Sequence, residues 1–210
     1  MADLPVHIGT SQRQDTQKGG QSGTRAVILS VAARLFGEVG YHGAGMRQLA
    51  DLVGIEPASV YSHFRSKGEI LQVLAWQCAD DFAATLRPVY ESELNTRSKL
   101  QRMIELHVEV LIRNLEQAPV FNREWQHLEP EAKAEYARMR DNYEGMYRAV
   151  IRQGIAQHLF KPMDEKFAAL TLLSALNFMP QWYRPEGEKS PQELGEILAS
   201  MLLQGLLKSF

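Results

Sequence analysis

The chain has 210 residues, 45% of them hydrophobic and 23% charged, with a formal net charge of −2. That composition supports one or two soluble domains with real cores and argues against a globally basic nucleic-acid coat, so any positive potential has to be local. A single cysteine, Cys78, excludes internal disulfides and cysteine-cluster metal sites.

Residues 1–22 are rich in Gly, Ser, Gln and Thr without periodicity, the pattern of a disordered N-terminal arm. Ile28, Val31, Ala32, Leu35, Phe36 and Val39 recur at helical spacing from about Thr24, and Gly40 ends the stripe. Met46, Leu49, Ala50 and Val53 form the apolar face of a second, short helix. Gly54 stands where a C-terminal cap needs positive φ. Pro57 fits the first turn of a third helix, where its missing N–H costs nothing. Val60 and Phe64 then turn inward, leaving Ala58, Ser59, Tyr61, Ser62 and His63 outside. Short hydroxyls and flat amphipathic rings suit base edges and phosphates. This is the pattern of a helix-turn-helix whose second helix enters a DNA major groove. The competing reading is a surface helical hairpin. From Arg25 to Lys67 five cations face three acids, a modest local excess.

Everything after Lys67 reads as helix, because alternating β-branched strand signals are missing. Ser66-Lys67-Gly68-Glu69 predicts a capping box opening a helix to roughly Leu94, with a break near Pro88. Cys78 lies on its apolar stripe and is expected to be a plain buried thiol. Ser98 is expected to open a helix running past Leu115 to Pro119. Pro130 starts another to about Gln157, and Pro162 marks a break. The next spans Asp164 to about Met179. Ser190-Pro191-Gln192-Glu193 joins a capping box to proline at the first helical position and opens the last helix. No apolar run is long enough to span a membrane, and no signal-peptide pattern is visible, so a cytoplasmic protein is expected.

Two sets of side chains carry the functional expectations in this part. Phe167, Leu170, Leu194, Ile197, Leu198, Met201 and Leu202 make stripes too apolar for a monomer surface, and two helices per subunit would form a four-helix dimer interface. Met103, His107, Phe121, Trp125, Tyr143 and Tyr147 gather on helices around a bundle interior, with Phe178, Trp182 and Arg184 near the following loop. They are candidates for ligand contact, although Met and aromatics at helical spacing also make ordinary core. No nucleophile–base pair, phosphate loop or metal cluster is visible, so no enzyme, cofactor or metal is expected.

The stretch TRAVILSVAARLFGEVGYHGAGMRQLADLVGIEPASVYSHFRSKGEIL closely resembles the DNA-binding domain of the TetR family of repressors over about a quarter of the chain. The resemblance rests on ARLFGEVGY, MRQLADLVGI and SVYSHFRSKGEIL. It implies an all-α chain: a helix-turn-helix domain at 23–68 and a helical ligand-binding and dimerisation domain at 69–210. It implies a homodimer on palindromic operator DNA. It assigns base or phosphate contacts to Arg47, Ser59, Tyr61, His63 and Lys67. Two positions depart from the family: Gly45 replaces a capping Ser or Thr, and Glu56 brings an acid close to the DNA backbone. The loop Trp182-Tyr183-Arg184-Pro185-Glu186-Gly187 resembles members that respond to acyl-CoA thioesters, which implies a small hydrophobic or acyl-CoA effector. The alternatives are a multidrug or aromatic-compound regulator with a non-CoA effector, or a helical carrier or enzyme.

Overall fold

The computed structural model describes residues 12–207, with side chains from residue 23 onward except that of Phe121. Nine α-helices follow one another among the described residues: α1 Gln12–Gly43, α2 Met46–Val53, α3 Pro57–His63, α4 Lys67–Glu91, α5 Thr96–Arg113, α6 Ala118–Asn122, α7 Pro130–Ala156, α8 Glu165–Asn177 and α9 Pro191–Leu206. No strand occurs among them beyond an isolated bridge between Phe160 and Leu207. The fold is all-α, as the missing strand signals implied.

The local signals account for most helix ends. α1 is interrupted at Gly40, whose φ of 74° lies in the left-handed region that disfavours side chains. Gly54 adopts φ 76° and returns its N–H to the Ala50 and Asp51 carbonyls, closing α2. Pro57 sits in the first turn of α3. Ser190 accepts from the Glu193 N–H at 3.2 Å while its own N–H donates to the Glu193 carboxylate at 2.8 Å, a complete capping box for α9.

Four expectations need correction. α1 begins at Gln12, upstream of Thr24; Gln, Arg and Lys favour a helix without supplying an apolar period. Residues 1–11 of the expected arm lie outside the described residues. Pro88 does not break α4: it sits within the last turn, and the helix runs on to Glu91. At its start, Ser66 caps the Glu69 N–H at 3.1 Å, but the Glu69 carboxylate reaches the Arg65 N–H at 2.7 Å, so the box is not reciprocal. α5 opens one turn early, because Asn95, and not Ser98, supplies the cap, accepting from the Ser98 N–H at 2.9 Å. It also ends at Arg113, before a turn of 3-10 helix and the short α6.

The interior divides into two apolar cores. The first joins Ile28, Leu35 and Phe36 of α1, Leu49 and Ala50 of α2, Val60 and Phe64 around α3, and Ile70 to Ala75 of α4. Val120, Leu128 and Tyr136, from beyond α5, complete it. The second joins Cys78, Phe82 and Leu86 of α4 to α5, α7, α8 and α9. α4 thus serves both cores in succession. In the second core Gly154 of α7 lies so close to the Phe160 ring that an added Cβ would overlap it.

Candidate functional site

α3 is seven residues long and gives one inward face to Val60, fully buried; Phe64 is buried immediately after it. What remains outside is Tyr61, 52% exposed, with Ser62 exposed and Ser59 and His63 half-buried. Arg47 is exposed in the first turn of α2. The Ser62 hydroxyl donates to the Ser59 carbonyl at 2.7 Å. Arg25 of α1 lays its guanidinium over the Phe64 ring at 4.6 Å, which steadies the end of α3. Gly45 and Glu56 cap α2 and α3 without any side-chain bond.

Lys67 behaves differently from the other four expected DNA contacts. Its ammonium donates to the Tyr41 carbonyl at 2.6 Å and the Ala44 carbonyl at 2.8 Å, and lies 4.4 Å from the centre of the Tyr41 ring. Partial burial lowers its pKa from the ordinary lysine value. Two of its three protons therefore hold the last turn of α1 and the link to α2 against the start of α4. The sequence offers only a cation beside the recognition helix; the carbonyls that capture it lie more than twenty residues upstream.

The second candidate region is a cavity of about 310 Å³ between α4, α7 and α8. Phe82, Trp125, Arg140, Tyr143, Leu170 and Asn177 are among its lining. A second cavity of about 270 Å³ adjoins it, sharing Ala79, Met139 and Tyr143 and adding Arg87 and Met146. Behind the wall lies a polar network. His107, fully buried, meets the Tyr143 hydroxyl through Nδ1 at 2.7 Å and the Asn177 side-chain oxygen through Nε2 at 3.2 Å. Burial pushes the His107 pKa down to about 3, against a smaller opposing effect of Asn177, so the ring is neutral. Burial likewise raises the Tyr143 and Tyr147 hydroxyls.

The expected ligand residues divide accordingly. Trp125 and Tyr143 line the cavity, and His107 supports its wall. Met103 and Tyr147 are fully buried core, joined by a 3.0 Å bond from the Tyr147 hydroxyl to the Met103 carbonyl. Phe178, Trp182 and Arg184 are exposed and do not line the cavity; from the segment after α8 it is Met179 that enters the core. Phe121 falls outside the described side chains. Arg140 and Asn177 are the residues that sequence reading missed; nothing in their local pattern distinguishes them from solvated helix positions. Cys78 is buried and its thiol is pushed up to about 12 by burial and by Asp81, which fits an inert core cysteine.

On the opposite side, Phe167 and Met201 are 68% and 66% exposed and, with Leu202, flank a groove of about 420 Å³ between α8 and α9. Ile197 is exposed, and Leu194 and Leu198 are half-buried against the second core. Leu170, expected on this face, is also exposed, and it lines the cavity. No described helix is long and apolar enough to cross a membrane, and no group of three or more metal-ligating side chains gathers among the described residues.

Comparison with known proteins agrees with this architecture. Residues 28–74 match the model for bacterial regulatory proteins of the tetR family, and residues 93–206 match that for tetracyclin repressor-like C-terminal domains. The chain is 28% identical over 196 residues to the HTH-type transcriptional repressor KstR2 of Mycobacterium tuberculosis, covering 92% of this chain and 98% of that protein. The structure of that ketosteroid transcriptional regulator superimposes with a TM-score of 0.82 at 27% identity over 88% of this chain and 95% of its own. The regulator PfmR of Thermus thermophilus gives 0.77 at 30% identity, covering 86% and 99%. AibR, solved with isovaleryl coenzyme A and operator DNA, shares the fold with a TM-score of 0.76 at 21% identity, covering 85% and 97%. Matched from its helix-turn-helix through its last helices, the chain belongs to the TetR family and is a transcriptional repressor of that type.

Proposed function

We propose that the protein represses transcription as a homodimer and leaves its operator when a small hydrophobic or acyl-CoA effector enters the cavity between α4, α7 and α8. The observation that carries the reading is the outer face of α3. Tyr61, Ser62, Ser59 and His63 stand on it with no long charged side chain among them, and Arg47 is exposed one helix away. Arg47, Ser59, Tyr61 and His63 are the contacts, and Lys67 adds its one remaining N–H to a phosphate.

The exposed residues of α8 and α9, Phe167, Ile197 and Met201 above all, are the dimer face, since apolar patches of this kind mark interaction surfaces. For the effector, the cavity supplies an aromatic wall with a few polar groups, the usual make-up of a small-molecule site. Its volume accommodates an acyl group rather than a whole coenzyme A. AibR binds isovaleryl coenzyme A on the same fold, and KstR2 is named for ketosteroids. An acyl group leads into the release mechanism only if the effector prefers a head separation that misfits the operator.

Selection from a random duplex library, followed by gel shift with the enriched sequence, tests the reading. Tyr61→Ala should weaken binding at least about 30-fold, from about 1–3 kcal/mol per base contact in each half-site, while the dimer persists in sedimentation. Full affinity in that variant overturns the site assignment. A thermal midpoint raised by isovaleryl-CoA or a longer acyl-CoA, and not by the free acid, supports the thioester effector.

A further inference from the structure

Tyr41 follows Gly40, the residue that ends the main stretch of α1. Its peptide is gripped from two directions. On one side its N–H donates to the Glu124 carboxylate at 2.9 Å. On the other its carbonyl accepts from Lys67 at 2.6 Å, and the same ammonium holds Ala44, two residues before α2. The Tyr41 ring stacks on His127 with centroids 5.5 Å apart and planes 11° from parallel. The neighbouring His42 meets His127 through their ring nitrogens at 3.1 Å.

Glu124 is 6% exposed, a rare position for a carboxylate, and the His127 ring and Arg123 approach it at 3.7 and 4.0 Å. A buried anion is costly unless it is hydrogen-bonded, and a charge-assisted bond to a backbone N–H is among the stronger kinds. The segment that carries it also borders the effector cavity. Trp125, the next residue, lines that cavity, and the Asn122 side chain donates to the carbonyl of Asn177, another lining residue, at 3.1 Å. The side chains of Trp125 and Glu124 thus lie in one short turn of 3-10 helix, one facing the cavity and the other bound to the last turn of α1, which leads into α2.

We infer that Glu124 is a positioning residue, which ties the turn bordering the effector cavity to the DNA-reading head through the Tyr41 peptide. A displacement of Trp125 then reaches α2 through Tyr41 and the start of α4 through Lys67. This inference rests on the proposed DNA-binding reading and adds the route by which the two regions sense each other. Coupling is reciprocal: if a ligand at the turn changes DNA affinity, DNA bound at the head changes that ligand's affinity by the same factor, so the tie can be tested from the DNA side without knowing the effector.

The test is amide hydrogen exchange on the full-length protein, with and without a duplex enriched by the wild-type chain. In the wild type, duplex binding should slow exchange across 118–128 about tenfold, along with the helix-turn-helix. In Glu124→Ala the helix-turn-helix response remains, and that of 118–128 falls below about twofold. Glu124→Gln, whose amide oxygen still accepts from the Tyr41 N–H, should restore most of it. Should the alanine variant fail to fold, Glu124→Asp, one methylene short of Tyr41, is expected to show the same loss. A wild-type response confined to the helix-turn-helix, or a response of 118–128 that survives in Glu124→Ala or Glu124→Asp, overturns the tie alone. Failure of the wild-type chain to enrich any duplex overturns the DNA-binding reading and the tie with it.

Discussion

The two cores of this molecule are built in opposite ways. The head core is apolar throughout, closed over short helices by residues such as Phe36, Val60 and Phe64. The body core encloses a hydrogen-bonded polar centre, His107 with Tyr143 and Asn177, next to a cavity. The apolar head leaves Tyr61 and Ser62 on its outer surface. The body keeps a cavity of about 310 Å³ beside that polar centre. The cores meet along α4, and the body also reaches into the head with Val120, Leu128 and Tyr136.

The strongest challenge to this contrast is Tyr136. It belongs to α7, a body helix, yet it is fully buried in the head core against Trp76 and Trp125. Tyr136→Ala should cost about 3–5 kcal/mol, as for other large-to-small core changes. If the regions are cooperative, denaturant unfolding monitored at head and body probes shifts as one transition; separate midpoints would show two independent units. Tyr136→Phe should raise stability by about 1–3 kcal/mol, because it removes a buried hydroxyl that has no hydrogen-bond partner among the described residues.

Acid should attack the body first. His107 is neutral in the fold, with its pKa lowered from 6.5 to about 3, whereas the unfolded chain takes up the proton near the ordinary value. Between those values the unfolded state binds more protons, so stability is fully present above about pH 6.5 and is lost as pH falls toward 3. This group alone contributes a slope of up to about 1.4 kcal/mol per pH unit. His107→Gln should flatten the acid limb of a stability-against-pH curve. An unchanged slope would mean that the network does not govern acid unfolding.

The smallest expected effect lies at the junction. Ser66 caps the first turn of α4, and Ser66→Ala should cost about 1 kcal/mol. Because that turn also carries Lys67 and its bonds to the head, operator affinity should fall with stability. A loss of stability at constant affinity would separate the cap from the orientation of the head.

Much of the fold could be read locally. Gly54, Pro57, Ser190-Pro191 and the apolar spacing each act within one helical turn, so the helix-turn-helix and the last helix were placed without tertiary information. Local signals compete at two helix ends. Asn95 and Ser98 both suit a cap, and Pro88 is tolerated close to a helix end. In the candidate sites, the outward face of α3 followed from the inward pull of Val60 and Phe64. Trp125 and Tyr143 were legible only as aromatics that line either core or cavity.

What the sequence by itself determined is therefore the all-α class, the reading helix and the residues it leaves exposed, because helix periodicity and capping are short-range. Tertiary structure alone decided that Lys67 turns inward to Tyr41 and Ala44. It alone decided that Tyr136 closes the head, that Trp125 borders a cavity and Met103 does not, and that Glu124 grips a peptide 83 residues earlier. Those outcomes depend on which helices pack side by side, and a buried charge or ring acquires its role from the partner that packing brings to it.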